Sequence, residues 1–137
     1  MHANGSCYCG ALRYSYTGKP SVQGLCHCND CRKISGSIFS TNLIFPTDAV
    51  TLTAGTPKTY TTAGGSGQPI TSTLCGECGS TLWRETPVYP GAKIVKAGSL
   101  DDAEALDILA KPAVEMFAEN RVGWVPEIAG EDHREAH

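Results

Sequence analysis

Cys75-Gly76-Glu77-Cys78-Gly79 sets two thiols three residues apart and follows them with a glycine. That is the form of a metal knuckle, a tight turn whose backbone N–H groups can point at both sulfurs and soften their charge. Two sulfurs make half of a tetrahedral site, so a second pair is needed. Cys7-Tyr8-Cys9-Gly10 supplies it, because residues two apart in an extended segment present their side chains to one face. The four thiols predict a closed site that staples the N-terminal strand to the middle of the chain, and structural zinc of this kind contributes on the order of 10 kcal/mol.

Cys26-His27-Cys28-Asn29-Asp30-Cys31 holds the other three of the seven cysteines. Two four-coordinate metals need eight donors, so seven leave one position for an exchangeable ligand, which is how catalytic zinc is arranged. His27 and Asp30 are rival donors inside the motif, although His27, between two ligands in an extended segment, should point away from the metal. The competing reading is one four-cysteine site plus three spare buried thiols, against which the CxCxxC spacing argues. An odd cysteine count makes a poor disulfide framework. Residues Met1 to Gly5 lack the basic start and apolar run of a secretory signal, so the cytoplasm is the expected address.

The 137 residues fit one domain, 1–137, with its core at about 5–125 and a tail at 126–137. Hydrophobic residues at 41% and charged residues at 18% describe a globular chain, and no apolar run nears the ~20 residues that cross a membrane. A net charge of −3, with Arg32-Lys33 the one basic pair, argues against nucleic acid as a partner. Leu12, Tyr14 and Tyr16 alternate with Ala11, Arg13 and Ser15, the period of a half-buried strand. Further strands are predicted at 22–25, 38–45, 50–53, 58–62, 70–74, 81–84, 92–97 and 114–117, with one short helix at 101–109 capped by Ser99 or Asp101. The fold class is therefore mainly β with at most one or two short helices. Ala63-Gly64-Gly65-Ser66-Gly67 reads as a surface loop, since it lacks the lysine and helix of a phosphate cradle. Residues 131–137 are expected to fray.

The CxCG, CxCxxC and CxxCGS motifs, with Arg32, Ser35-Gly36-Ser37-Ile38-Phe39, Ala97-Gly98-Ser99-Leu100-Asp101 and Trp124, resemble the glutathione-dependent formaldehyde-activating enzyme family, which also includes centromere protein V. The likeness runs from Cys7 to about Trp124. It implies an Mss4-like fold of twisted antiparallel sheets stapled by zinc. It further implies two zinc ions per chain, one structural at Cys7, Cys9, Cys75 and Cys78 and one catalytic at Cys26, Cys28 and Cys31. The implied activity is that of a carbon–sulfur lyase, joining formaldehyde to glutathione as S-(hydroxymethyl)glutathione or reversing that step.

A metal held by three thiolates favours the ionised form of a fourth, substrate thiol, which can then attack a carbonyl. His27 and Asp30 are the candidates for moving the accompanying proton. Arg32 and Lys33 could meet a carboxylate on the small-molecule thiol, or simply form a solvated turn. Phe39, Trp83 and Trp124 could line an apolar pocket beside the metal, or belong to the core. A non-enzymatic zinc module that binds a protein partner is the alternative.

Overall fold

The computed structural model describes residues 2–132. Alternation builds its smaller sheet. On strand β2 (Arg13–Thr17), Tyr14 and Tyr16 are buried while Arg13 and Thr17 are exposed. The strand lies between β1 (His2–Ser6) and β5 (Val50–Ala54), antiparallel to both. Its buried rings meet aromatics of the larger sheet: Tyr16 lies 5.3 Å from Phe45 and Tyr14 5.6 Å edge-on from Trp83. Tilted and edge-on pairs of this kind add about 0.5–1.5 kcal/mol each beyond area burial.

The larger sheet has eight strands in the order β11 (Gly130–Asp132), β10 (Val114–Met116), β3 (Val22–Cys26), β4 (Ser40–Pro46), β9 (Ala92–Lys96), β8 (Thr81–Glu85), β7 (Pro69–Leu74) and β6 (Lys58–Ala63). Neighbours are antiparallel except at β10, which runs parallel to both β3 and β11. One face of β4, β9 and β8 gives Leu43, Phe45, Val95 and Trp83 to the core. The opposite face gives Asn42, Lys96 and Arg84 and meets the CxCxxC segment.

Every predicted strand forms, with ends moved by a residue or two. The segment at 38–45 begins at Ser40 because a helix precedes it. That helix, α1 (Asn29–Ser35), was not predicted. The Cys28 sulfur caps it by accepting from the Cys31 N–H at 3.3 Å, and Gly36 ends it at φ 69, a conformation that glycine adopts without strain. Helix α2 (Ala103–Ile108) is shorter than 101–109, and its cap is Asp102 rather than Ser99 or Asp101. Both expected caps are engaged elsewhere: Ser99 Oγ donates to the Lys96 carbonyl at 2.7 Å, and Asp101 accepts from Ser6 Oγ at 2.6 Å. The expectation of a frayed end fails at residues 131 and 132, which pair in β11; residues 133–137 lie outside the described residues. Ala63 to Gly67 closes the β6–β7 hairpin, with Gly64 N–H on the Gln68 carbonyl at 2.8 Å. Among the described residues no helix is long and apolar enough to cross a membrane.

Gly5 faces Tyr14 across the β1–β2 pair, and a Cβ there would fall 2.1 Å from Tyr14 Cζ. Gly5→Ala is therefore expected to displace that ring and cost about 1–3 kcal/mol, the usual penalty of overpacking. In urea the unfolding midpoint should drop with the slope unchanged.

Candidate metal centres and the adjoining cavity

The sulfurs of Cys7, Cys9, Cys75 and Cys78 lie within 4.8 Å of one another. Cys9 is 3.7 Å from Cys7 and 3.7 Å from Cys75. A tetrahedron with metal–sulfur bonds of about 2.3 Å has edges near ~3.8 Å, so the donors already stand where a thiolate-bound metal would hold them. Backbone N–H groups face the sulfurs: Leu12 donates to Cys7 at 3.3 Å and Glu77 to Cys75 at 3.4 Å, while Ala11 serves Cys9 and Ser80 serves Cys78. The Ser80 hydroxyl, 3.2 Å from the Cys78 sulfur, is the main reason that thiol is held down at about 5. Gly79 makes the knuckle possible by adopting φ 79, which lets its N–H reach the Cys75 carbonyl at 2.9 Å.

Cys26, Cys28 and Cys31 form the second cluster, also within 4.8 Å. Cys26 ends β3, Cys28 caps α1 and Cys31 lies in its first turn. Cys26 and Cys31 are fully buried, whereas Cys28 is half-buried. Contacts with Cys28 and Cys31, together with burial, push Cys26 far above the usual thiol range. Three sulfurs this close resist ionising together unless a cation joins them, and the donor chemistry fits a thiolate-bound metal. No fourth His, Cys, Asp or Glu donor joins the cluster among the described residues. Met116 and Phe117 pack against it, and Phe117 takes φ 55, the one left-handed non-glycine residue among those described. Strain in a bulky side chain's backbone tends to gather at functional sites.

His27 is turned toward β10. Its Nε2 lies 2.8 Å from Glu115 Oε1, and its ring meets Phe39 edge-on at 5.7 Å, while its buried Nδ1 has no hydrogen-bond partner among the described residues. Asp30 accepts from the Gly65 N–H at 2.8 Å and so ties the β6–β7 loop to α1.

A cavity of about 710 Å³ opens beside the first cluster, walled by Tyr8, Ile34, Phe39, Ser40, Lys96 and Asp101 among others. Cys7 lines it, but none of Cys26, Cys28 and Cys31 does. Of the aromatic candidates only Phe39 reaches it. Trp83 does not, because it faces the core, where Tyr14 meets it edge-on and Lys93 Nζ lies 4.8 Å above its ring. Trp124 does not either, being 75% exposed. Arg32 and Lys33 are also outside it, on the outer side of α1, where Arg32 donates to Asn29 at 2.9 Å. Sequence reasoning missed Glu115 and Lys96. Lys96 Nζ donates to Ser40 Oγ at 2.9 Å and to Asn42 Oδ1 at 3.0 Å, and Asn42 Nδ2 in turn meets the Cys31 sulfur at 3.6 Å. Burial pushes the Lys96 ammonium below its ordinary range and Arg84 acts the same way, while the three thiols oppose them.

The family model for glutathione-dependent formaldehyde-activating enzymes matches residues 2–120. The chain belongs to that family. A protein of Halomonas elongata, provisionally named as a glutathione-dependent formaldehyde-activating enzyme, is 28% identical over 130 residues, covering 91% of this chain and 80% of that one. A crystal structure of a Rhodobacter sphaeroides protein superposes with a TM-score of 0.59 at 17% identity, over 75% of this chain and 94% of that one. That similarity concerns the fold alone. Family membership agrees with the resemblance carried by the three cysteine motifs, and both clusters those motifs form fall inside the matched span.

Proposed function

We propose that this chain is a zinc-dependent carbon–sulfur lyase, making or breaking a thiol–aldehyde adduct of the S-hydroxymethylglutathione type. Cys26, Cys28 and Cys31 would hold the catalytic zinc, and Cys7, Cys9, Cys75 and Cys78 a structural one. The observation that carries this reading is the division of seven thiols into a closed four and an open three. Zinc at the second cluster would supply a Lewis acid that keeps a bound thiol ionised near neutral pH.

The protein's own groups do the rest. In the adding direction the substrate sulfur forms a bond to the carbonyl carbon, the π pair moves to oxygen, and that oxygen takes a proton; cleavage reverses each move. Phe39 and Ile34 give the cavity an apolar wall suited to excluding water from the reacting carbon. We assign His27 to holding the 26–28 segment through Glu115, and Asp30 to holding the loop at Gly65. The seven free thiols suit a reducing compartment, and we place the protein in the cytoplasm.

Metal analysis should find close to two zinc ions per chain, one of which leaves readily to a chelator and responds to added thiol. A screen of thiol and aldehyde pairs, glutathione with formaldehyde first, should then show adduct formed or lost by mass spectrometry. A second reading has one observation in its favour: Cys26 and Cys31 are buried and no member of their cluster lines the cavity. A non-enzymatic zinc module would give no turnover with any pair and no thiol response from the second metal, and that result would replace the first reading.

A further inference from the structure

Strand register lays a polar line across the face of the large sheet that meets the second cluster. Cys26 pairs with Ser40, Asn42 with Lys96, and Ile94, two residues before Lys96, with Arg84, which in turn pairs with Ser72. Residues two apart on a strand share a face, so Cys26, Ser40, Asn42, Lys96 and Arg84 all point to one side. Two of the five are cations. Among the described residues neither Lys96 nor Arg84 has a carboxylate partner, and the buried Arg84 Nη1 has no hydrogen-bond partner. Buried cations are normally paired, and an unfilled donor on this face is a reason to expect an anionic or strongly accepting ligand.

Lys96 is placed to meet one. An ammonium carries three donors, of which Ser40 Oγ and Asn42 Oδ1 take two. The third has no partner among the described residues, and Lys96 forms part of the cavity wall. The contact with Asn42 also fixes that amide's orientation, with its oxygen toward the ammonium and its nitrogen toward the Cys31 sulfur. Ser40 and Lys96 are the cavity groups hydrogen-bonded to this amide.

Building on the lyase reading, we infer that Lys96 is a catalytic residue that donates its third N–H to the carbonyl-derived oxygen of the adduct. During addition that oxygen gains the π pair as the carbon–sulfur bond forms, and its proton then comes from water. During cleavage the same oxygen gives its proton to water, a lone pair rebuilds the carbonyl, and the sulfur leaves with the bonding pair. The ammonium remains protonated throughout. Because it is already held by Ser40 and Asn42, it needs no reorganisation when charge develops, which is what makes a fixed donor effective.

The test uses the full zinc-loaded chain with glutathione and formaldehyde, comparing wild type with K96M, K96Q and K96R. Removing one such donor should lower kcat by roughly 100- to 1000-fold in K96M and K96Q. KM for glutathione should stay within about threefold, because the thiol end is untouched. K96R should recover part of the loss, and K96Q keeps polar contacts to Ser40 and Asn42 should K96M fold poorly. Independently of turnover, cobalt(II)-substituted protein titrated with glutathione alone should give its sulfur-to-cobalt absorption band at the same midpoint in K96Q as in wild type. A K96Q enzyme with wild-type kcat would overturn the inference while leaving the lyase reading intact. A cobalt midpoint shifted as far as kcat falls would also overturn it, by placing Lys96 on the thiol side. A wild-type protein that turns over no adduct would remove the lyase reading and this assignment together.

Discussion

Cys78→Ser should leave a chain with no cooperative unfolding transition, whereas Cys28→Ser should fold, bind one zinc ion instead of two and turn over no adduct. The asymmetry follows from what each cluster joins. Cys7 and Cys9 belong to the turn between β1 and β2, and Cys75 and Cys78 to the turn between β7 and β8, so the first metal would close a loop of about half the chain. Little else fastens those turns to each other: the Tyr8 N–H reaches Ser80 Oγ at 3.1 Å. Structural zinc contributes on the order of 10 kcal/mol, comparable with the ~5–15 kcal/mol net stability of an ordinary domain. The second cluster spans only residues 26 to 31, and its surroundings are also fixed by α1, β3 and the β10 pairing. Near-ultraviolet circular dichroism, amide NMR dispersion and zinc content on the two variants decide the matter. Equal loss of fold in both would show that the two sites do not divide into structural and catalytic.

The cysteine clusters and nine of the eleven strands among the described residues were legible in the sequence because both are carried by local spacing, whereas β1 and β11 were not predicted. CxC at residues 26–28 in extended backbone, CxxCG in a turn and the alternation around Tyr14 each fix geometry over a few residues, whereas Cys7 and Cys9 come together from a turn, closed by the Gly10 N–H on the Cys7 carbonyl at 3.1 Å, and not from the extended segment expected. Helix α1 was not legible, since its cap is a cysteine sulfur rather than the oxygen of Ser, Thr, Asp or Asn, and seven residues give too little apolar period to read. Glu115 and Lys96 were invisible for another reason. Each lies inside a predicted strand as an ordinary charged residue, and only the pairing of β10 with β3 and of β9 with β4 brings them to the CxCxxC segment. The aromatic candidates split on the same ground. Sequence cannot say which face of β8 Trp83 occupies until that strand's register with β9 is known, and Trp124 lies in an irregular segment with no period at all. The parallel pairing of β10 was likewise unreadable, because it joins residues some 90 positions apart with no local turn to announce it.

Glu115→Gln is expected to destabilise the protein by about 3–5 kcal/mol, the cost of breaking a buried, fully bonded charge network. The Glu115 side chain is wholly buried and receives His27 Nε2 at 2.8 Å, Arg121 Nη2 at 3.2 Å and the N–H groups of Ile128 and Ala129 at 2.8 and 2.9 Å. All of these donate or carry positive charge, so an amide nitrogen in place of either oxygen turns a bond into a repulsion. Burial alone would raise this carboxyl, but Ala129, His27, Ile128 and Arg121 together hold it down from 4.5 to about 2. A folded value below the unfolded one means that the carboxylate stabilises fully above about pH 4.5 and that its contribution fades as pH falls toward about 2, roughly 3 kcal/mol in all. Protonation of the cysteine ligands also weakens the protein in acid, yet it acts on both versions and cancels in their difference. The stability gap between wild type and E115Q, measured by urea unfolding, should therefore be widest near pH 7 and shrink below pH 4.5. A gap that stays constant down to pH 3 would mean that the ionised carboxylate is not what ties strand β10, the residues around Ala129 and the His27 segment together. Because His27 lies between two ligands of the second cluster, the same variant should surrender that cluster's zinc to a chelator sooner than wild type does, while the zinc at Cys7, Cys9, Cys75 and Cys78 stays in place.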